Sequence, residues 1–299
     1  MKDTHVAMLD GRANQLTEMV PPSRIFGSIS AFKQKNATAA FILNVSDMLP
    51  YIMGTMANFR AVYDPSAYFC NSTIGTQCSD LQSKWIAQWS AQLFRISQDD
   101  AATVARAYGQ YFAVPYINDG NADDLIANLL NSAAEQIGNE VQQQRFTVGT
   151  NYNWTSSAQA LCAAYADVQK VAGNVPASRQ QAYATTILNS LGYHCKVVSA
   201  LAATLNAQAA FHAGDAKSAA QLLYGVVATL DELAMVQHAA EGPLFRGLFV
   251  YDDLTCTPRA RRSALGALAR LEASASSKMR DWAYKQDIIS CRGYEGMCV

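Results

Sequence analysis

The first fifty residues contain two short apolar runs, and each run ends abruptly in polar residues. Residues 39–43 read Ala-Ala-Phe-Ile-Leu and continue into Asn-Val-Ser-Asp, and residues 5–9 continue into Asp-Gly. Short apolar runs that stop at turn-forming residues predict buried strands of a parallel sheet. Strand, helix and strand in this order are what a right-handed parallel crossover requires.

From Leu81 onward the apolar residues recur at every third or fourth position, which is the period of an α-helix. We predict helices that begin near residues 81, 98, 122, 155, 177, 215 and 257. The predicted N-caps are Ser23 for the helix between the strands, Ser97, Thr155 or Ser156, and Asp215. The positions that should be buried include Trp85, Trp89, Leu129, Ile187 and Leu201.

The pattern as a whole predicts a mainly α protein, with a helical bundle preceded by a short α/β segment. We divide the chain into an α/β segment at residues 1–68, a helical bundle domain at residues 69–275 and a tail at residues 276–299. Two strands do not form a stable parallel sheet by themselves, because parallel sheets are larger and covered on both faces.

Charge and motifs exclude several classes of function. The formal net charge of the 299 residues is −1 and only 16% are charged, so we expect no nucleic acid partner. No apolar run of membrane-spanning length occurs, so we expect no membrane partner. The glycine-rich motifs of nucleotide sites and the spaced His and Cys pairs of metal sites are absent from the sequence, which predicts no cofactor and no metal.

The cysteines and the glycosylation motifs point to an oxidising compartment. Of the seven cysteines, Cys70 with Cys78 and Cys291 with Cys298 have spacings that suit local disulfides, whereas helix register does not predict a bridge between Cys162 and Cys195. Asn-X-Ser/Thr motifs begin at Asn36, Asn44, Asn71 and Asn153. We therefore expect a secreted glycoprotein, although Met1–His5 contains no apolar signal core.

Polar side chains gather where the two predicted strands end. They are His5, Asp10, Asn14 and Glu18 near the first strand, and Asn44 and Asp47 after the second. Parallel strands present their carboxyl ends at one edge of a sheet, and carboxylates with Asn or His at such an edge suit sugar or acyl chemistry. The same residue types also form ordinary turns and caps, so a purely structural role fits these positions as well.

The segments that carry these residues resemble a known family. His5–Gly11 followed by Asn14, the stretch Phe41–Pro50, and the later stretches Trp85–Phe94 and Tyr108–Tyr116 together resemble glycoside hydrolase family 115, the xylan α-glucuronidases. The resemblance covers about residues 4–116. It departs from the family pattern at Ser46 and Leu49, where the family has Gly and Lys.

The resemblance implies that residues 1–68 correspond to the last strands of a (β/α)8 barrel. It implies that His5, Asn14, Asn44 and Asp47 line a pocket for a uronic acid of a plant polysaccharide, and Asp10 and Glu18 lie in the same segments. The earlier barrel strands of the family, which supply most of its acidic residues, have no counterpart in this sequence. The resemblance therefore assigns no catalytic acid, and it implies the C-terminal part of a glycoside hydrolase that is inactive by itself.

A second hypothesis explains the same sequence without catalysis. A helical scaffold or interaction protein could retain the strand segment for its packing alone. The two hypotheses differ in whether the residues at the strand ends bind carbohydrate.

Overall fold

The computed structural model describes the following parts of the chain: residues 4–5, 17–18, 20–36, 43–44, 52–70, 76–119, 129–130, 132–137, 152–243, 246–247 and 257–273. Within them the protein is mainly helical, as the sequence predicts. The last predicted segment, residues 276–299, lies outside the described residues.

Two short strands form a parallel pair. Strand β1 is Thr4–His5 and strand β2 is Leu43–Asn44, with Thr4 opposite Leu43 and His5 opposite Asn44. The parallel direction agrees with the crossover predicted from sequence. Most of the two apolar runs lies outside the described residues, so the likeness to the end of a barrel stays a prediction.

The helices follow in chain order. Their bounds are α1 Pro22–Gln34, α2 Ile52–Tyr63, α3 Thr76–Phe94, α4 Gln98–Ala113, a 3-10 helix Pro115–Asp119, α5 Trp154–Ala172, α6 Ala177–Tyr183, a π-helix Ala184–Leu188, α7 Asn189–His212, α8 Ala216–Glu241 and α9 Thr257–Ala273. Of the helix predicted from residue 122, residues 129–130 and 132–136 are described, and they are helical.

Two of the predicted caps are confirmed. The Ser97 hydroxyl accepts a hydrogen bond from the backbone N–H of Asp100 at the start of α4. The Asp215 carboxylate accepts the backbone N–H of Ser218 at the start of α8. In each case the side chain satisfies a backbone donor that the first helical turn leaves unpaired.

Two other caps were predicted wrongly. The N-cap of α1 is Pro21, and Ser23 lies within the first turn, where its N–H donates to the Gln82 side chain. A proline at the first helical position favours this earlier start because its φ is already helical. The N-terminus of α5 is capped by Asn153, whose side-chain oxygen accepts the N–H of Ser156.

The chain divides into two compact units. Unit 1 comprises residues 1–122, 160–194 and 236–247, and unit 2 comprises residues 123–159, 195–235 and 248–299. Helices on both sides of the predicted boundary at residues 68 and 69 belong to unit 1. The three-part division of the chain stays a prediction.

Unit 1 is built around a row of aromatic rings. Consecutive ring centroids lie 5.0–6.0 Å apart, a spacing at which aromatic rings attract each other beyond simple burial. The row runs through Phe26, Trp85, Trp89, Phe94 and Tyr183. It joins α1, α3 and α6 into one core. The five positions that the sequence predicts to be buried, in both units, are all buried.

Unit 2 has an aliphatic core. Leu223 of α8 packs with Leu265, Leu268 and Leu271 of α9 and with Ile137. The α9 side chain Arg270 donates to the backbone carbonyls of Ile137 and Ala134 at 2.7 and 2.8 Å. These bonds satisfy carbonyl groups at the end of a helical segment, where no further backbone N–H is available.

Helix α8 has the length and composition of a membrane-spanning segment. Its most apolar window has a mean hydropathy of 1.3, and 28% of that window is buried. Core helices have the same properties, and part of this one packs in unit 2 through Ala219 and Leu223. Among the described helices, α8 is the one that is both long enough and apolar enough to span a membrane.

Cysteines are oxidised in the described part of the chain. Cys70 and Cys78 form the predicted local disulfide, with their Cα atoms 5.8 Å apart, and both are buried. Cys162 and Cys195 are each disulfide-bonded as well. The predicted pair Cys291 and Cys298 lies outside the described residues.

Two glycines inside helices of unit 1 should respond oppositely to the same substitution. A Cβ atom on Gly192 would lie 2.9 Å from Tyr165 Cε2 and 3.1 Å from Val236 Cγ1, so we expect Gly192→Ala to lower the free energy of unfolding by about 1–3 kcal/mol. A Cβ atom on Gly109 meets nothing within 4 Å, so Gly109→Ala should raise it by about 0.5–1 kcal/mol. Urea unfolding of both variants measures the difference, and equal effects would contradict the packing of α7.

Candidate functional site

The structure describes three of the six predicted site residues. His5 and Asn44 are paired through their backbones as neighbours on β1 and β2. Glu18 is described together with its side-chain contacts. Asp10, Asn14 and Asp47 lie outside the described residues, so the predicted grouping of these residues at one edge stays a prediction.

Glu18 is held by the N-terminus of α2. Its Oε1 atom accepts the backbone N–H of Gly54 at 2.8 Å, and Met53 provides a second backbone hydrogen bond. These two N–H groups belong to the first turn of the helix, where no carbonyl precedes them to serve as an acceptor. The carboxyl group of Glu18 therefore caps a helix that begins 34 residues further along the chain.

Burial changes the pKa of Glu18 more than the backbone hydrogen bonds do. The side chain has no exposed surface, and loss of solvent raises its pKa from 4.5 to about 8 although the two N–H groups lower it. The Tyr108 hydroxyl lies within electrostatic range, and burial and then the Glu18 charge raise the pKa of Tyr108 well above its ordinary value. At neutral pH Glu18 is therefore a neutral carboxylic acid beside a neutral phenol.

The adjacent residue, Thr17, is bound by a residue much later in the chain. Its hydroxyl lies 2.7 Å from Nε2 of His194, a residue of α7, and both side chains are buried. The other ring nitrogen of His194, Nδ1, lies 3.0 Å from the Tyr116 hydroxyl. Both nitrogens of the imidazole are thus engaged by residues from the first 118 positions of the chain.

Aromatic rings enclose His194. The centroids of Tyr111, Tyr116 and Tyr193 lie 5.2, 5.9 and 5.1 Å from the centroid of the imidazole. Because water is excluded, burial lowers the pKa of His194 to about 3. The ring is neutral, so one nitrogen donates a hydrogen bond and the other accepts one.

We call Thr17, Glu18, Gly54, Tyr116 and His194 the buried clasp. It ties the segment after β1 to the helix after β2 and to α7. Glu18 and His194 both have no exposed surface, so neither side chain touches a molecule in solvent in this structure. The contacts of the clasp fix the backbone at Thr17 and Glu18 and at the first turn of α2.

The described residues contain no group of three or more His, Cys, Asp or Glu side chains that could hold a metal ion. Each nitrogen of His194 lies within hydrogen-bond distance of a hydroxyl group, so the single lone pair of the neutral ring accepts a hydrogen bond.

Sequence reasoning missed two parts of the clasp. Helix α2 was not predicted, because its sequence Ile-Met-Gly-Thr-Met-Ala lacks an N-capping side chain and a clear polar face. His194 is not among the six site residues predicted from sequence. A histidine within the apolar helical pattern of residues 187–201 is the signal that could have identified it as a buried hydrogen-bonding residue.

Comparison with known protein families bears on the same part of the chain. The model of Glycosyl hydrolase family 115 matches residues 4–118. These residues are a family 115-like region. No curated protein and no solved structure gives a significant match to the chain.

The family 115-like region contains both strands, helices α1 to α4 and all but the last residue of the 3-10 helix. It includes all six predicted site residues and, within the clasp, Thr17, Glu18, Gly54 and Tyr116. His194 lies 76 positions beyond its end. The clasp is therefore completed by a residue outside the family 115-like region.

The two buried titratable groups predict a stability maximum at mildly acidic pH. Between pH 4.5 and about 8 the unfolded chain releases the Glu18 proton that the folded chain keeps, so stability falls as pH rises. Between about pH 3 and 6.5 the unfolded chain binds a proton at His194 that the folded chain does not, so stability falls as pH decreases. The two effects oppose each other between pH 4.5 and 6.5, where stability should be nearly constant.

Two substitutions separate these contributions. Glu18→Gln should flatten the decline of the unfolding free energy between pH 6.5 and 8, and His194→Asn should flatten the decline below pH 4.5. Denaturant unfolding at a series of pH values provides the measurement. His238→Gln is the control because His238 is exposed. An unfolding free energy of the unaltered chain that does not fall between pH 6.5 and 8 would show that Glu18 is ionised in the folded state.

Proposed function

We propose that the family 115-like region forms part of a carbohydrate site that accepts uronic acid residues of plant polysaccharides. The observation that carries this proposal is the match of residues 4–118 to Glycosyl hydrolase family 115. The pairing of His5 with Asn44 supports it, because two of the candidate residues are neighbours on parallel strands.

In this proposal the polar residues that follow the strands contact the sugar. His5, Asn14, Asn44 and Asp47 bind the uronic acid, and Asp10 lies in the same segment. Amide and imidazole groups donate hydrogen bonds to a sugar carboxylate, while Asp47 accepts from hydroxyl groups. Glu18 acts as a positioning residue, since its carboxyl group is buried against Gly54 and is not accessible to a substrate.

We further propose that the 299-residue chain binds such a sugar without cleaving it. Glycoside hydrolysis requires two carboxyl groups about 5–10 Å apart across one bond, one of them with a raised pKa. Glu18 has the raised pKa but no exposed surface. Asp10 and Asp47 are then the remaining carboxyl groups of the site, and a sheet of two strands supplies few contacts for orienting a polysaccharide between them.

The proposed site of action is outside the cell. The described part of the chain contains the Cys70–Cys78 disulfide, and two further cysteines are disulfide-bonded. Disulfides of this kind persist in oxidising compartments, where plant polysaccharides are also degraded by secreted enzymes.

Calorimetry with two oligosaccharides tests the proposal. A xylo-oligosaccharide that carries glucuronic acid should bind with a dissociation constant in the millimolar range or below, and the same backbone without glucuronic acid should bind at least tenfold more weakly. Asp47→Asn and Asn44→Ala should each weaken binding about tenfold, the equivalent of about 1.4 kcal/mol. Asp80→Asn is the matched control, because Asp80 is an exposed residue of α3.

Each alternative has its own outcome. Equal affinity for both oligosaccharides, or no binding, would contradict the carbohydrate site and favour the non-catalytic scaffold. Release of glucuronic acid by the unaltered chain, lost in Asp47→Asn, would overturn the predicted lack of hydrolysis and give the first fifty residues a complete active site.

A further inference from the structure

We propose that His194 is a positioning residue of the family 115-like region, acting from α7 through its hydrogen bond to Thr17. The part of α7 that carries His194 is then a required part of the structure of that region rather than a separate module. Only the consequence for sugar binding rests on the proposed function. The structural part of the inference stands on the contacts of unit 1 alone.

The first step is the placement of the imidazole. His194 Nε2 lies 2.7 Å from the Thr17 hydroxyl and Nδ1 lies 3.0 Å from the Tyr116 hydroxyl. A buried neutral imidazole with both nitrogens engaged has a fixed orientation, because turning the ring would leave polar atoms without partners in an apolar surrounding. Thr17 and Tyr116, which are 99 residues apart in sequence, are thereby held on opposite sides of one ring.

The second step is the rigidity of the element that carries His194. The Tyr108 hydroxyl donates to the backbone carbonyl of Thr186 at 3.2 Å, and this carbonyl belongs to the π-helix immediately before α7. The ring of Phe94 packs edge-on against Tyr183 with centroids 5.0 Å apart. π-helical segments recur at functional positions because they displace side chains that a regular helix would place elsewhere.

The third step links the clasp to the predicted site. Thr17 and Glu18 directly follow the segment that carries Asp10 and Asn14. Glu18 is bound to Gly54 in the first turn of α2, and that helix directly follows the segment that carries Asp47. Fixing Thr17 and Glu18 therefore fixes one end of each segment. A positioning role for His194 follows from this connection, and no contact between His194 and a ligand is required.

The test uses two substitutions that separate the ring nitrogens. In His194→Gln the longer side chain places its amide where Nε2 lies, so the bond to Thr17 is kept. In His194→Asn the shorter side chain places its amide where Nδ1 lies, so the bond to Tyr116 is kept and the bond to Thr17 is lost. Thr17→Val removes the hydrogen bond between Thr17 and His194 by replacing the hydroxyl group, with little change in side-chain volume. This variant provides the test if a His194 variant does not fold.

Hydrogen–deuterium exchange of the full chain is the measurement. We expect the backbone N–H groups of Glu18 and Gly54 to exchange at least tenfold faster in His194→Asn and in Thr17→Val, and within threefold of the unaltered chain in His194→Gln. His212→Gln, at the exposed end of the same helix, is the matched control and should leave the exchange of these N–H groups unchanged. A role in packing alone would leave exchange unchanged in Thr17→Val, because Val keeps the size of the side chain and removes only the hydroxyl group.

Equal exchange of the Glu18 and Gly54 N–H groups in the Asn and Gln variants, or unchanged exchange in Thr17→Val, would overturn the inference. Calorimetry on the same proteins then addresses function separately. If the unaltered chain binds the glucuronic acid oligosaccharide, His194→Asn should weaken binding at least tenfold and His194→Gln should weaken it less than threefold. If the unaltered chain does not bind, the proposed function fails and the exchange result still decides the role of His194.

Discussion

The hydrogen bond between the Glu18 carboxyl group and the first turn of α2 is the interaction on which the organisation of unit 1 depends. A carboxyl group with no exposed surface loses the solvation of its charged form, and this loss exceeds what two backbone N–H groups return. The group therefore stays neutral at pH 7. A neutral acid still caps the helix at a moderate free-energy cost, whereas an ionised one in the same place would destabilise the core.

His194 is a second buried titratable residue that stays uncharged at neutral pH. Its imidazole is also buried and neutral, and its two hydrogen bonds reach Thr17 and Tyr116. The clasp is therefore a set of uncharged polar contacts inside a core of aromatic rings, and each contact spans a large distance in sequence. Such contacts favour this arrangement of the chain, because breaking them would leave further buried polar atoms unpaired. They also make residues beyond the family 115-like region part of its structure.

The spacing of apolar residues predicts most of the described helices, but it does not predict the contacts of the clasp. The stripe of Trp85 and Trp89 and the cap at Ser97 are local signals, and the structure agrees with both. Helix α2 has neither a capping side chain nor a polar face, because Glu18, a residue distant in sequence, performs the capping. For the same reason the local sequence carries no signal of the contact between the Glu18 carboxyl group and the backbone of α2. Only the fold brings such partners together.

The ionisation state of Glu18 tests this account most directly. Carbon-13 NMR of glutamate carboxyl groups in the full chain, with the Glu18 signal assigned by its loss in Glu18→Gln, measures that state without unfolding the protein. The account predicts a signal that titrates with a midpoint near pH 8, far above that of exposed glutamates. A midpoint near 4.5 would mean that the carboxyl group is solvated and charged, and it would contradict the buried clasp as the organising interaction of unit 1.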